Sequence, residues 1–148
     1  MIILGIDPGT ATTGYGLIKK NGEINLINYG CIKTSCDLTT AERLKELYNQ
    51  LDSLIKKYKP DIAAVEDIFF FKNLKTAIKV SQARGVILLT ATKSNIPIFE
   101  YTPLQVKQAI TSYGRAEKIQ VQKMVKTLLN LDEIPKPDVS APYLYATT

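Results

Sequence analysis

The sequence contains no histidine and no tryptophan, and only two cysteines among its 148 residues. Without histidine there is no Ser–His–Asp hydrolase and no imidazole-ligated metal centre. Cys31 and Cys36 cannot complete a structural zinc site on their own, and they are too few for a disulfide scaffold. They are expected to be reduced thiols of an intracellular chain. No apolar run approaches the about 20 residues of a membrane-spanning helix. The N-terminus has no basic segment leading into a signal-type apolar stretch. A cytoplasmic protein with no membrane contact is expected. Glycine-rich phosphate loops are missing as well, because Gly5–Gly16 has neither P-loop nor dinucleotide-binding spacing. There is no internal repeat and no low-complexity tract.

What the chain does contain is unevenly distributed charge. Residues Met1–Glu66 carry eight Lys/Arg against eight Asp/Glu, while Asp67–Thr148 carry eleven against six. The whole excess of +5 therefore lies in the second part. A basic face there would suit a polyanion such as nucleic acid, although a generic solvated surface would look similar. The length suits one domain, residues 1–148, with a proper hydrophobic core.

The pattern along the chain is three strands followed by alternating helices and strands. Ile2–Ile6 reads as a buried strand and Gly14–Lys20 as a second, with Asn21-Gly22 as a hairpin turn into a third, Glu23–Lys33. A helix begins at Thr39 or Thr40, with Leu44, Leu47, Leu51, Leu54, Ile55 and Tyr58 on one face, and ends at Lys59-Pro60. Asp61–Glu66 is a fourth strand, Leu74–Ser94 a long, largely apolar helix, and Pro97–Tyr101 a fifth strand. Gly85 suggests close approach of another backbone to the long helix. Helices over Pro103–Ser112 and Ala116–Leu131 follow, the latter with Ile119, Val121, Met124, Val125, Leu128 and Leu129 as its apolar positions. A meander followed by parallel strands predicts an α/β fold: a mixed five-stranded sheet with helices on both faces. This arrangement is similar to the ribonuclease H-like fold, and the expected strand order, 3-2-1-4-5, rests partly on that resemblance.

Two of the short apolar strands end in a carboxylate, Asp7 and Glu66. Asp7 alone, before the Pro8-Gly9 turn and the hydroxyls of Thr10, Thr12 and Thr13, could equally be a turn residue. Two parallel neighbours, however, place their C-terminal ends on one sheet edge, where α/β ligand sites lie. Asp7, Glu66 and a later carboxylate, Asp138, would form an oxygen-only donor set. Such sets select hard cations, Mg²⁺ or Mn²⁺. Two ions about 3.5–4 Å apart clamp the attacking and leaving oxygens in phosphodiester hydrolysis. The stretch Ile68–Asn73 adds three consecutive phenylalanines next to Lys72, Lys75 and Lys79. An exposed ring among ammonium groups suits DNA, with bases stacking and phosphates paired, and the same rings could instead wedge under a loop or form a dimer contact.

Several stretches coincide with one family. GIDPGTATTGYG (Gly5–Gly16), VEDIFFFKN (Val65–Asn73), SQARGV (Ser81–Val86), YTPLQVKQA (Tyr101–Ala109) and GRAEKIQVQKMV (Gly114–Val125) together make the chain resemble the RuvC family of Holliday junction resolvases over nearly its whole length. GIDPG alone would be weak, since actin-like ATPases and sugar kinases open similarly, but those need a second, similar lobe. The resemblance implies a homodimer of ribonuclease H-like subunits. It implies symmetric nicking of two like strands of a four-way junction with two Mg²⁺ ions per subunit (Mn²⁺ as a substitute), and cooperation with branch-migration helicase machinery. Residue by residue, Asp7, Glu66 and Asp138 match metal carboxylates, Phe69 matches the aromatic set against junction DNA, and Lys107 and Lys118 match basic residues near the scissile phosphate. Lys72, Lys75 and Arg84 join the DNA-binding candidates.

The departure from the family is at the end of the chain. The family reads Asp-x-x-Asp, whereas here Asp138-Val139-Ser140 is followed by Ala141 and Pro142. The fourth carboxylate is absent, and Pro142 disfavours a continuing helix. Asp132 and Glu133 are weak stand-ins behind Pro135 and Pro137. The alternative to a junction-cutting enzyme is therefore a dimeric junction-binding protein with impaired or absent cleavage.

Overall fold

The computed structural model describes residues 1–67, 73–112 and 116–135. Nine elements follow in order: β1 (Ile2–Asp7), β2 (Thr12–Asn21), β3 (Glu23–Lys33), α1 (Thr40–Tyr58), β4 (Ile62–Glu66), α2 (Leu74–Lys93), β5 (Ile98–Tyr101), α3 (Pro103–Thr111) and α4 (Lys118–Leu128). The strands form one mixed sheet of order β3-β2-β1-β4-β5, the arrangement expected from the sequence. β1 pairs antiparallel with β2 and parallel with β4.

Local chemistry sets the element ends. The β2–β3 hairpin turns at Gly22, whose φ of +94° favours glycine. The ladder slips between Leu17 and Ile18, leaving Ile27 as an extra residue in β3. This bulge switches the inward face: Leu26 packs toward one core and Ile32 toward the other. It is also why apolar residues alternate only partially along β3, where Tyr29 is exposed. Thr39 caps α1 in a capping box with Glu42, and Lys59 ends that helix in the left-handed conformation before Pro60.

Two cores sandwich the sheet. On one face α1 and α2 pack Leu47, Leu51, Ile55, Ala83, Ile87 and Ala91 onto Leu4, Ile6, Leu17, Ala63 and Val65. On the other, α3 and α4 pack Val106, Val121, Val125 and Leu129 onto Ile3, Ile18 and Ala64. Two expectations need correction. Of the six apolar positions expected in the last helix, Val121, Val125 and the C-cap Leu129 are buried, while Ile119, Met124 and Leu128 are exposed. The short helix has one inward stripe, and these three residues fall outside it. Among the described residues no backbone of this chain approaches Gly85, since a Cβ there would meet nothing within 4 Å. It lies on the exposed side of α2.

Candidate active site

The β1–β4 register runs from Ile3↔Ile62 to Ile6↔Val65, and one residue further both strands end in a carboxylate, Asp7 and Glu66. Side chains alternate between the two faces of a strand. Leu4, Ile6, Ala63 and Val65 belong to the α1/α2 core, and Ile3 and Ala64 to the α3/α4 core. Asp7 and Glu66 continue the second series, so both lie on the α3/α4 side at the C-terminal edge of the sheet. Both are half-buried. The sequence expectation that these two residues come together is what the topology produces.

The turn after Asp7 is fastened at several points. The Gly9 N–H donates to Thr13 Oγ1 at 3.4 Å, and that hydroxyl donates to the Gly9 carbonyl at 2.6 Å. Thr13 is buried. A Cβ on Gly9 would lie 2.1 Å from the Thr12 carbonyl oxygen, so the tight approach requires glycine. From β3's end, Thr34 donates its N–H to the Ala11 carbonyl at 3.1 Å and its hydroxyl to the Thr10 carbonyl at 2.7 Å. Arg43 of α1 donates to the Thr34 hydroxyl from behind, at 2.9 Å. The sequence singles out the threonines at 10, 12 and 13, but not Thr34 or Arg43. Nothing local marks Thr34, whose partners in the turn are more than twenty positions away, or Arg43, which acts through Thr34.

Two of the basic candidates, Lys107 and Lys118, lie on the α3/α4 side. Glu66 pairs with Tyr101 of β5, and α3 begins two residues later, capped by Thr102 in a capping box with Gln105. Lys107 is half-buried on α3, and Lys118 is the exposed first residue of α4. Lys75 is exposed in the first turn of α2, after the Asn73 cap. Phe69, Lys72, Asp138 and Ala141 lie outside the described residues. Gln122, which the sequence did not flag, is buried and donates to the Pro135 carbonyl at 2.7 Å. That bond fastens to α4 the segment that leads on to Asp138. Asp132 and Glu133 are exposed.

Arg84, like Lys75, sits on α2, on the opposite face of the sheet from α3 and α4, and its side chain is 20% exposed. Its Nη2 lies 3.1 Å from Asp67 Oδ1 and also pairs with Glu100 Oε2. A guanidinium already held by two carboxylates is a poor phosphate ligand. Its Nε is buried with no hydrogen-bond partner among the described residues, a situation that costs about 1–3 kcal/mol. The ion pairs are what hold the group in place.

Among the described residues no three or more of Asp, Glu and Cys cluster as a metal site, so a third carboxylate ligand would come from elsewhere in the chain. None of the described helices is long and apolar enough to cross a membrane. A cavity of about 570 Å³ between the C-terminal ends of α1 and α2 is lined by Lys56, Lys59 and Lys93. Its one carboxylate, Asp52, is paired with Lys56 at 2.6 Å. It offers no comparable donor set.

Residues 3–145 match the family model described as crossover junction endodeoxyribonuclease RuvC. The RuvC crossover junction endodeoxyribonuclease of Caldicellulosiruptor saccharolyticus is 60% identical over 140 residues, covering 93% of this chain and 84% of that protein. The protein of the same name from Desulforamulus reducens is 60% identical over 139 residues, covering 93% and 85%. The structure of Thermus thermophilus RuvC in complex with Holliday junction substrate superposes with a TM-score of 0.93 at 32% identity, covering 99% of this chain and 90% of that one. With its sheet order, its paired strand-end carboxylates and a family match over nearly the whole length, the chain belongs to the RuvC family of crossover junction endodeoxyribonucleases.

Proposed function

We propose that this chain is a structure-selective endonuclease that resolves Holliday junctions in DNA recombination and repair by paired, symmetric nicks. One observation carries the reading: Asp7 and Glu66 end adjacent parallel strands on the same side of the sheet. They do so in a chain 60% identical to curated crossover junction endodeoxyribonucleases.

The family is one of metal-dependent nucleases, and the residues present fit a hard cation. The donors at this edge are carboxylate oxygens, and the sequence has no imidazole to favour softer metals. Asp7, Glu66 and Asp138 would hold Mg²⁺, with two ions per subunit and Mn²⁺ as a substitute. When bound, the ions supply charge stabilisation for the attacking and leaving oxygens of the phosphodiester. The protein supplies position. The Gly9–Thr13 and Thr34 hydrogen bonds fix the turn after Asp7, and the β4–β5 ladder fixes Glu66. Lys107 and Lys118 neutralise phosphates on the α3/α4 side, and Lys72, Lys75 and Phe69 extend the DNA surface. We leave Arg84 out of that surface because its guanidinium is engaged.

A second copy of the chain is the proposed partner. Leu74, Ile78, Gly85 and Leu89 form an exposed stripe along α2. Burying that stripe against its symmetry mate would give a two-fold enzyme with two sites, as paired nicking requires. Branch-migration helicase machinery is the further partner that family membership suggests. The reading as a junction binder without cleavage rests on Ala141 alone and finds no support: the family match runs past that position to residue 145.

The test is a labelled four-way junction incubated with the purified chain, with and without Mg²⁺. The expected result is a pair of symmetric nicks in two like strands only when the ion is present, with linear duplex uncut. Tight junction binding without nicks in either Mg²⁺ or Mn²⁺ would transfer the case to the binding protein.

A further inference from the structure

Arg84 occupies an unusual position relative to Glu66. Along β4 and β5, Val65 faces Glu100 and Glu66 faces Tyr101, and the Asp67 N–H donates to the Tyr101 carbonyl at 2.9 Å. Glu66 lies on the α3/α4 side of the sheet. Its successor Asp67 and the β5 residue Glu100 are the two carboxylates that Arg84 reaches from α2, on the other side. One guanidinium thus ties together the C-terminal ends of two neighbouring strands, directly behind Glu66.

We propose that Arg84 is a positioning residue for the metal site. From the back of the sheet it fixes the ends of β4 and β5, and through them the orientation of the Glu66 carboxylate. The inference rests on the reading of Glu66 as a metal ligand. Both carboxylates meet one nitrogen, Nη2, of a rigid planar guanidinium, and a flexible lysine ammonium would hold them less firmly. The same α2 carries the exposed stripe of Leu74, Ile78 and Leu89, so the clamp also links that face to the site.

The test uses the full chain and Mn²⁺ as the probe, with free Mn²⁺ measured by electron paramagnetic resonance in the absence of DNA. Arg84→Gln is expected to weaken Mn²⁺ binding, toward the low end of the about 10–100-fold typical of residues that support metal ligands. The sign is diagnostic. If Arg84 acted only as a nearby positive charge, its removal would tighten cation binding. Arg84→Lys should fall between the two. Glu100→Gln in the Arg84→Gln background should add little, because the two residues act through one contact. Metal-free junction affinity and its salt dependence should not change.

Three outcomes would overturn the inference alone. One is tighter or unchanged Mn²⁺ binding by Arg84→Gln. Another is a fall in its melting temperature with Mn²⁺ binding intact in Arg84→Lys and Glu100→Gln. The third is a loss of metal-free junction affinity with the salt slope reduced by about one, which marks a direct phosphate contact. Glu66→Gln is run alongside. If it fails to weaken Mn²⁺ binding, the reading of the site falls, and the inference falls with it.

Discussion

The two faces of the sheet are built for different tasks. The α1/α2 face is sealed by long helices: α1 spans 19 residues and α2 spans 20, and Leu47, Leu51, Ile87 and Ala91 bury against Leu4, Ile6 and Val65. Among the described residues, the α3/α4 face is covered by helices of 9 and 11 residues, and Leu104, Ile119, Met124 and Leu128 remain exposed there. The strand-end carboxylates lie on this thinner side, along with Lys107 and Lys118. The contrast separates stability from chemistry. Among the described residues, one face carries the deepest packing of the fold, and the other holds the two strand-end carboxylates together with Lys107 and Lys118.

Substitutions on each face should break different properties. The largest effect on stability is expected from Leu51→Ala, at a fully buried position of the α1/α2 core. It should cost about 2–5 kcal/mol, measured by urea unfolding, with junction cleavage per folded molecule unchanged. Gly9→Ala comes next. The added methyl would meet the Thr12 carbonyl at 2.1 Å, so the turn must shift. A loss of about 1–3 kcal/mol is expected, together with slower cleavage, because Asp7 lies two residues upstream. Equal cleavage by this variant would show that the turn does not hold the carboxylate.

Lys107→Ala should leave stability nearly untouched and weaken binding to all DNA alike, with the slope of log affinity against log salt reduced by about 0.9. A change confined to junctions would instead point to shape recognition at this position. The smallest effect is expected at the start of α1. Hydrogen bonds from the Thr39 hydroxyl and backbone N–H hold the Glu42 carboxyl below its ordinary range. A carboxyl lowered in the folded state stabilises above its ordinary pKa, and that contribution disappears as pH falls through the lowered value. Thr39→Ala should therefore reduce the melting temperature slightly at neutral pH, and the gap should narrow in acid. A gap that widened in acid would contradict the assignment.

The same contrast between faces explains what was legible in the sequence. The α1 leucines recur at helical spacing and the strands are short apolar runs, so the elements and the α1/α2 layer followed from pattern, while the sheet order leaned partly on the ribonuclease H-like resemblance. Asp7 and Glu66 were legible because each ends such a run, and a helical crossover between parallel strands brings their ends to one edge. Less could be read where contacts are long-range. Arg84 looked like another DNA-binding cation, and only the structure shows Asp67 and Glu100 around it. The acidic doublet Glu66-Asp67 was the available signal that the strand end holds two carboxylates with different partners. In α4, six apolar positions suggested a broad buried stripe. The short helix buries three of them, because it covers one narrow part of the sheet.

The central claim is that Asp7 serves the chemistry of the site and not its architecture. The most direct measurement is Asp7→Asn assayed for metal-free junction binding and for cleavage in Mg²⁺ on the same labelled four-way junction. Binding should be undiminished and cleavage should fall by at least about a hundredfold, the scale of removing one stabilising group from a charged transition state. Cleavage at the parent rate, or binding lost together with cleavage, would contradict the claim.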